Sequence, residues 1–129
     1  MTEHNKKELL VQIRRVIEST DGAKLNKCYT WYIPKRKEGC VAGMCGQDKW
    51  FNEQGFTTEQ IKEHPENHHV PAYEKGLTKT YSWQAIDTFF KDFPYGLRAK
   101  LFGTRGIVMM LSKEEVIKVI DKELEQIHA

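Results

Sequence analysis

Apolar side chains recur at helical spacing near both ends of the sequence. Between residues 5 and 19 they are Leu9, Leu10, Ile13, Val16 and Ile17. After residue 112 they are Val116, Ile117, Ile120, Leu124 and Ile127. Steps of three and four residues place such side chains on one face of an α-helix. The pattern therefore predicts one amphipathic helix near each end of the chain.

Turn and capping residues mark where these two helices begin and end. Thr20, Asp21 and Gly22 follow the first pattern. We expect Gly22 to take the left-handed conformation that ends helices, and Asp21 to close a turn. Ser112 and Glu115 have the spacing of a capping box, in which each side chain accepts a hydrogen bond from the other residue's backbone amide. They predict the start of the second helix.

The segment from about residue 43 to residue 79 has the least regular pattern, with glycines and prolines throughout. Thr57 and Gln60 predict one short helix within it, which Pro65 limits to about two turns. Beyond this segment, Ser82 is expected to cap a helix over residues 83–91. The apolar face of that helix would consist of Trp83, Ile86, Phe89 and Phe90.

Two hairpins are predicted. Residues 25–33 are rich in aromatic and β-branched side chains without helical spacing, and predict a strand that Pro34 ends. A shorter strand over residues 40–42 would pair with it across a basic turn. The second hairpin would join residues 97–102 to residues 107–111. In its first strand apolar and cationic residues alternate in the order Leu97, Arg98, Ala99, Lys100, Leu101.

This order of elements predicts an α+β fold, in which a small antiparallel sheet carries the N-terminal and C-terminal amphipathic helices on one face. The length of 129 residues fits a single domain over residues 1–129. Apolar residues make up 40% of the sequence and charged residues 29%. That balance is typical of globular proteins and excludes a wholly disordered chain.

The sequence favours a cytoplasmic protein. It contains no signal region and no run of about 18 apolar residues such as a membrane helix needs, so no membrane partner is expected. Three cysteines are an odd number, whereas a disulfide framework normally shows an even count. Reduced thiols are therefore expected.

Aromatic and cationic residues concentrate around the first predicted hairpin and supply a candidate partner-binding surface. Its residues are Trp31, Tyr32, Lys35, Arg36, Lys37 and Trp50, with Arg98, Lys100 and Arg105 as an extension. Aromatic side chains and arginine are enriched at protein interfaces, and the same combination stacks and neutralises single-stranded nucleic acid. A half-buried strand before a solvated turn would give the same pattern. Whether Trp31 and Trp50 belong to the core or to the surface therefore stays open.

Soft metal ligands are present, but their spacing is loose. The candidates are Cys28, Cys40, Cys45, His64, His68 and His69. A structural zinc site usually has two tight ligand pairs, which this sequence lacks. A thiolate of Cys40 or Cys45 beside His68 or His69 would be needed for nucleophilic catalysis, and no local motif indicates one. We expect no cofactor, with zinc as the alternative.

A non-enzymatic protein that acts through protein–protein contacts, as a small inhibitor, adaptor or accessory subunit, is the favoured function. The net charge of +2, from 20 basic and 18 acidic residues, is too small to indicate a polyanion partner by itself. A nucleic-acid-binding module that uses the aromatic and basic strand is the alternative. A zinc-binding or cysteine-dependent enzyme is the second alternative.

Overall fold

The computed structural model of the protein describes residues 5–26, 32–58, 79–103 and 111–128, and for residues 79–83 and 128 it describes the backbone alone. These ranges contain one short 3₁₀ helix, Gly22–Lys24, and a two-stranded antiparallel sheet. The strands are β1 (Tyr32–Ile33) and β2 (Glu38–Gly39). The helices are α1 (Lys6–Glu18), α2 (Val41–Gly46), α3 (Lys49–Glu53), α4 (Lys79–Phe89), α5 (Tyr95–Phe102) and α6 (Lys113–His128). The predicted α+β class is confirmed, with helix predominating.

The helices near the two ends of the sequence, α1 and α6, pack against each other. All five apolar residues predicted to face inward from α1 are buried. Lys6 Nζ lies 3.0 Å from Glu123 Oε2, and at the other end of the pair Lys113 Nζ donates to the carbonyl oxygens of Glu18 and Thr20 at 2.9 and 2.8 Å. These contacts show that the two helices run antiparallel.

The predicted capping box at the start of α6 is confirmed. The Glu115 N–H donates to Ser112 Oγ at 3.1 Å, and the Ser112 N–H donates to Glu115 Oε1 at 2.9 Å. Asp21 closes a turn as expected, because its carboxylate accepts from the Ala23 N–H at 2.9 Å. The left-handed conformation predicted for Gly22 is wrong, since this residue begins the 3₁₀ helix.

The strand predicted over residues 97–102 is wrong, because these residues belong to α5. Leu97 and Leu101 are both buried and lie four residues apart, which places them on one helical face as well as on one strand face. Pro94 precedes the helix with φ fixed at −57°, and Gly103 follows it at φ 76°. Over only six residues, the alternation of apolar and polar side chains does not distinguish the period of a strand from that of a helix. The other predicted strand, residues 107–111, lies outside the described residues except for its last position.

The strand predicted over residues 40–42 is also wrong. Cys40 is the N-cap of α2, and its Sγ accepts from the Gly43 N–H at 3.3 Å. The loop-rich segment predicted from residue 43 instead begins with α2 and α3. Gly46 lies inside α2, where a Cβ would approach Thr58 N to 2.5 Å. Glycine is therefore required for close packing here, although its presence weakens the helical pattern in the sequence.

The predicted helix over residues 83–91 exists but begins earlier. It is α4, and Ser82 lies inside it, so the predicted cap at Ser82 is wrong. Thr57 and Thr58 are not helical, and the rest of the short helix predicted to begin at Thr57, including Gln60, lies outside the described residues. Thr58 is instead buried and accepts a hydrogen bond from Gln47 Nε2 at 3.2 Å.

A hairpin forms near the first predicted one, but its second strand is β2 and not residues 40–42, which were expected to pair. Tyr32 pairs with Gly39 and Ile33 with Glu38 across a turn of four residues. The long strand predicted over residues 25–33 is wrong at its start, because Asn26 has φ 57° and interrupts the extended chain after Leu25. Residues 27–31 of that prediction lie outside the described residues.

One continuous core joins the helices of the described ranges. It contains a group of aromatic rings with centroid separations between 4.7 and 6.3 Å. The group consists of Phe51, Phe56, Phe89, Phe90, Phe93 and Phe102. None of the helices in the described ranges combines the length and the apolar character that crossing a bilayer requires.

Candidate functional site

Three of the predicted partner-binding residues lie on the turn between β1 and β2, which we call the basic turn (residues 34–37). The turn is held at its base by Ile33 and Gly39, both of which are buried. Lys35 and Lys37 are exposed, whereas Arg36 is half-buried with its Nη1 3.9 Å from Glu38 Oε1. The hairpin thus presents two lysine side chains to solvent from a buried base.

Backbone hydrogen bonds fix the shape of the basic turn. The Arg36 N–H donates to the Ile33 carbonyl at 3.2 Å, and the Lys37 N–H donates to the Pro34 carbonyl at 3.3 Å. Lys37 adopts φ 56°, the left-handed region that a residue with a Cβ enters at a cost of about 1 kcal/mol or more. The chain therefore carries a lysine where glycine or asparagine would fit the backbone better.

Two of the predicted aromatic residues, Tyr32 and Trp50, lie in the described ranges, and both are partly buried. Tyr32 is half-buried in β1. Trp50 lies on α3, packs against the core and meets the Phe51 ring edge-on at a centroid distance of 5.0 Å. The structure thus assigns Trp50 to the margin of the core. Trp31 lies outside the described residues.

The other predicted cations lie on a different element. Arg98 and Lys100 belong to α5, and Arg98 Nη1 lies 3.2 Å from Asp87 Oδ1 of α4. Lys100 is exposed, and Arg105 lies outside the described residues. Arg98 and Lys100 thus lie on a helix and not on half of a hairpin, and their extension of the first hairpin's surface stays a prediction.

The cysteines in the described ranges, Cys40 and Cys45, serve the capping of α2 and the packing of the core. Cys45 is fully buried, and burial, with smaller effects from Asp48 and Cys40, raises the pKa of its thiol well above the usual value. A thiol that resists ionisation is a poor nucleophile and a poor metal ligand. Cys40 is half-buried and caps α2.

In the part of the chain that the structure describes, no three His, Cys, Asp or Glu side chains come together in a way that could hold a zinc ion. The other candidate ligands, Cys28, His64, His68 and His69, lie outside the described residues.

Asn26 was not among the predicted site residues, and Lys37 was predicted for its charge alone; the left-handed backbone of both residues was not predicted. Asparagine is the L-residue that tolerates this conformation best, so the signal for Asn26 was its residue type directly after the buried Leu25. For Lys37 the local sequence contained no such signal, because its conformation depends on where the two strands pair.

Asp48 joins α3 to α1 near the buried thiol. Its carboxylate caps α3 by accepting from the Phe51 N–H at 3.3 Å, and it forms a two-point ion pair with Arg15 at 2.8 and 3.1 Å. Burial alone would raise the pKa of Asp48, but the hydrogen bonds from Arg15 and Phe51 outweigh burial and hold this pKa below its usual value.

Replacing Asp48 by alanine is expected to lower the free energy of unfolding at neutral pH by about 1–2 kcal/mol, through loss of the cap and of a partly exposed ion pair. Because the folded-state pKa is lowered, this contribution is present above the unfolded-state value near pH 4 and is lost as the pH falls through the folded-state value. Urea unfolding at about pH 7 and about pH 2.5 measures both free energies.

The difference between wild type and Asp48→Ala should therefore shrink in acid. Asp48→Asn, which keeps a capping oxygen but removes the charge, should lie between the two proteins at neutral pH. An equal difference in the free energy of unfolding between wild type and Asp48→Ala at both pH values would contradict a stabilising role of the charged Asp48 carboxylate.

Comparison of the chain with protein-family models, with curated proteins and with solved structures finds no match.

Proposed function

We propose that this chain is a non-enzymatic binding protein that docks on an acidic surface of a protein partner through the basic turn. The observation that carries the proposal is the left-handed conformation of Lys37 at an exposed position. Strained backbone retained by a non-glycine residue is typical of functional sites. The left-handed backbone of Lys37 lowers the stability of the fold, and glycine would avoid this cost. In return, lysine places a positive charge at an exposed position, which glycine lacks.

The shape of the turn supports the same proposal. Its backbone is fixed by two hydrogen bonds within the turn, and its base is buried beside α2. A loop that already has its binding conformation loses little entropy when it binds, so more of the interaction energy appears as affinity. Lys35 and Lys37 then supply charges that attract an acidic partner and orient it.

A protein partner is favoured over nucleic acid because of Trp50. Binding of single strands depends on exposed aromatic faces on which bases stack, and the Trp50 ring packs against the core. The buried and weakly acidic Cys45 thiol likewise argues against its use as a nucleophile. Nucleic-acid binding through the same lysines becomes an alternative outcome of the capture experiment.

The test is quantitative capture from a nuclease-treated lysate on immobilised protein. The proteins that wild type retains should be captured on the double variant Lys35→Glu/Lys37→Glu in amounts lower by about tenfold or more. Charge reversal turns attraction to an acidic partner into repulsion. Lys118→Glu/Lys122→Glu is the matched control, since it makes the same change of charge at two exposed positions on α6. This control should retain the same proteins as wild type.

Lys37→Gly separates docking from folding. Glycine relieves the left-handed strain, so this variant should be at least as stable as wild type in urea unfolding and yet capture less. Equal capture by wild type and both turn variants would overturn the proposal. Capture that requires intact nucleic acid, together with binding of a labelled single-stranded oligonucleotide that weakens steeply between about 50 and 200 mM salt, would replace it with the nucleic-acid alternative.

A further inference from the structure

Asn26 lies where the base of the basic turn meets the start of α6. The residue is only 5% exposed, and its backbone is left-handed at φ 57°. A polar side chain is rarely buried without partners, because an unsatisfied amide inside a protein is costly. Its contacts therefore indicate what the position contributes to the fold.

Two hydrogen bonds of Asn26 reach other elements. Its backbone N–H donates to the Gly39 carbonyl at 2.8 Å, and its Nδ2 donates to the Leu111 carbonyl at 2.8 Å. Gly39 pairs with Tyr32 at the base of the basic turn. Leu111 directly precedes Ser112, the first residue of the capping box of α6. One buried residue thus connects the hairpin to the start of the last helix.

The carbonyl that the Asn26 side chain binds belongs to a fixed part of the molecule. The capping box holds the start of α6, and Lys113 binds the backbone at the end of α1. A bond from Asn26 to this point therefore ties the hairpin to the paired helices α1 and α6. Hydrogen bonds within the hairpin shape the turn but do not set its direction relative to those helices.

We infer that Asn26 is a positioning residue, which sets the direction of the basic turn relative to α1 and α6 and so presents Lys35 and Lys37 to the partner. The inference rests on the proposed function, because it concerns the surface through which the protein would dock. The side-chain bond to Leu111 and the left-handed backbone act together, since in this conformation one residue reaches both elements.

The experiment is amide hydrogen exchange on Asn26→Asp. Aspartate has the same shape and tolerates the left-handed region, but its carboxylate cannot donate to the Leu111 carbonyl. We expect the amides of Arg36, Lys37 and Gly39 to exchange about tenfold faster or more, because a buried hydrogen bond that holds the hairpin is lost. Amides in the middle of α1 and α6 should keep their wild-type rates.

Asn52→Asp is the matched control. Asn52 Nδ2 donates to the carbonyl oxygens of Gly46 and Phe56 at 2.8 and 2.9 Å, so the variant loses the same kind of bond away from the hairpin. Its faster exchange should be confined to α3 and its surroundings. Asn26→Gly, which keeps the left-handed backbone without the side chain, serves as the second variant if Asn26→Asp does not fold.

Wild-type exchange rates in the hairpin of Asn26→Asp, or equally faster exchange throughout the protein, would overturn the positioning role. Capture from lysate distinguishes failure of the positioning role of Asn26 from failure of the proposed docking function. Reduced capture by Asn26→Asp, alongside faster hairpin exchange, supports the inference, and unchanged capture overturns it. If capture by wild type does not depend on Lys35 and Lys37, the proposed function fails whatever the exchange rates.

Discussion

Replacing Phe90 by alanine is expected to lower the free energy of unfolding by about 3–5 kcal/mol, because it removes a ring from the centre of the aromatic core. The side chain is fully buried, and its ring centroid lies 4.7 Å from that of Phe102 and 5.2 Å from that of Phe56. Removing the ring leaves a cavity between α4, α5 and the segment after α3. Urea unfolding followed by far-ultraviolet circular dichroism measures the loss.

Tyr95→Ala is the control for Phe90→Ala, because it removes an aromatic ring of similar size from a position that is 69% exposed. Its free energy of unfolding should stay within about 0.5 kcal/mol of wild type. A loss of similar size in both variants would show that ring removal itself, and not the cavity, causes the effect.

Replacing Gly46 by alanine is expected to destabilise the protein by about 3 kcal/mol, although alanine normally favours a helix. A Cβ at this position would overlap Thr58 Oγ1 and lie 2.5 Å from Thr58 N. Because one of these atoms belongs to the backbone, shortening the Thr58 side chain does not make room. The segment after α3 would have to move away from α2, and its hydrogen bonds to Gln47 would be lost.

Gly96→Ala is expected to have the opposite effect on stability. Gly96 lies in α5, and no atom comes within 4 Å of the position that a Cβ would take. Alanine should therefore stabilise the protein by about 0.5 kcal/mol, through its better helix propensity. The same urea titration compares both variants with wild type, and stabilisation by both would refute the close approach of α2 to Thr58.

Local signals in the sequence predicted the elements that depend on them. The apolar spacing of α1 continues from Leu9 to Ile17, which is long enough to identify one helical face. The capping box of Ser112 and Glu115 needs only two residues three positions apart. In both cases the interactions that define the element lie within it, so the sequence of the element is sufficient.

The elements that were mispredicted depend on distant contacts. In α2, glycine is present because Thr58 lies against Gly46, and nothing in the local sequence announces that contact. In α5, Leu97 and Leu101 fit one face of a helix and one face of a strand equally well. The structure shows that both residues pack into the core from a helix, which their spacing alone does not predict.

The candidate site was predictable in its charges and not in its geometry. The cations of residues 35–37 can be read directly from the sequence, and their position on a turn follows from Pro34 and Gly39. The left-handed backbone of Lys37 depends on the pairing of Ile33 with Glu38, which local pattern does not fix. The partial burial of Trp50 depends likewise on the position of α3 against the core.

The pairing of α1 with α6 has a consequence for how the chain folds during synthesis. Lys113 bonds to Glu18 across a sequence separation of 95 residues, and Lys6 bonds to Glu123 across 117. The ribosome therefore releases α1 long before its partner exists. Until α6 emerges, part of the apolar face of α1 stays uncovered and available to chaperones or to aggregation. The native core formed by the described residues is accordingly completed only after translation of α6.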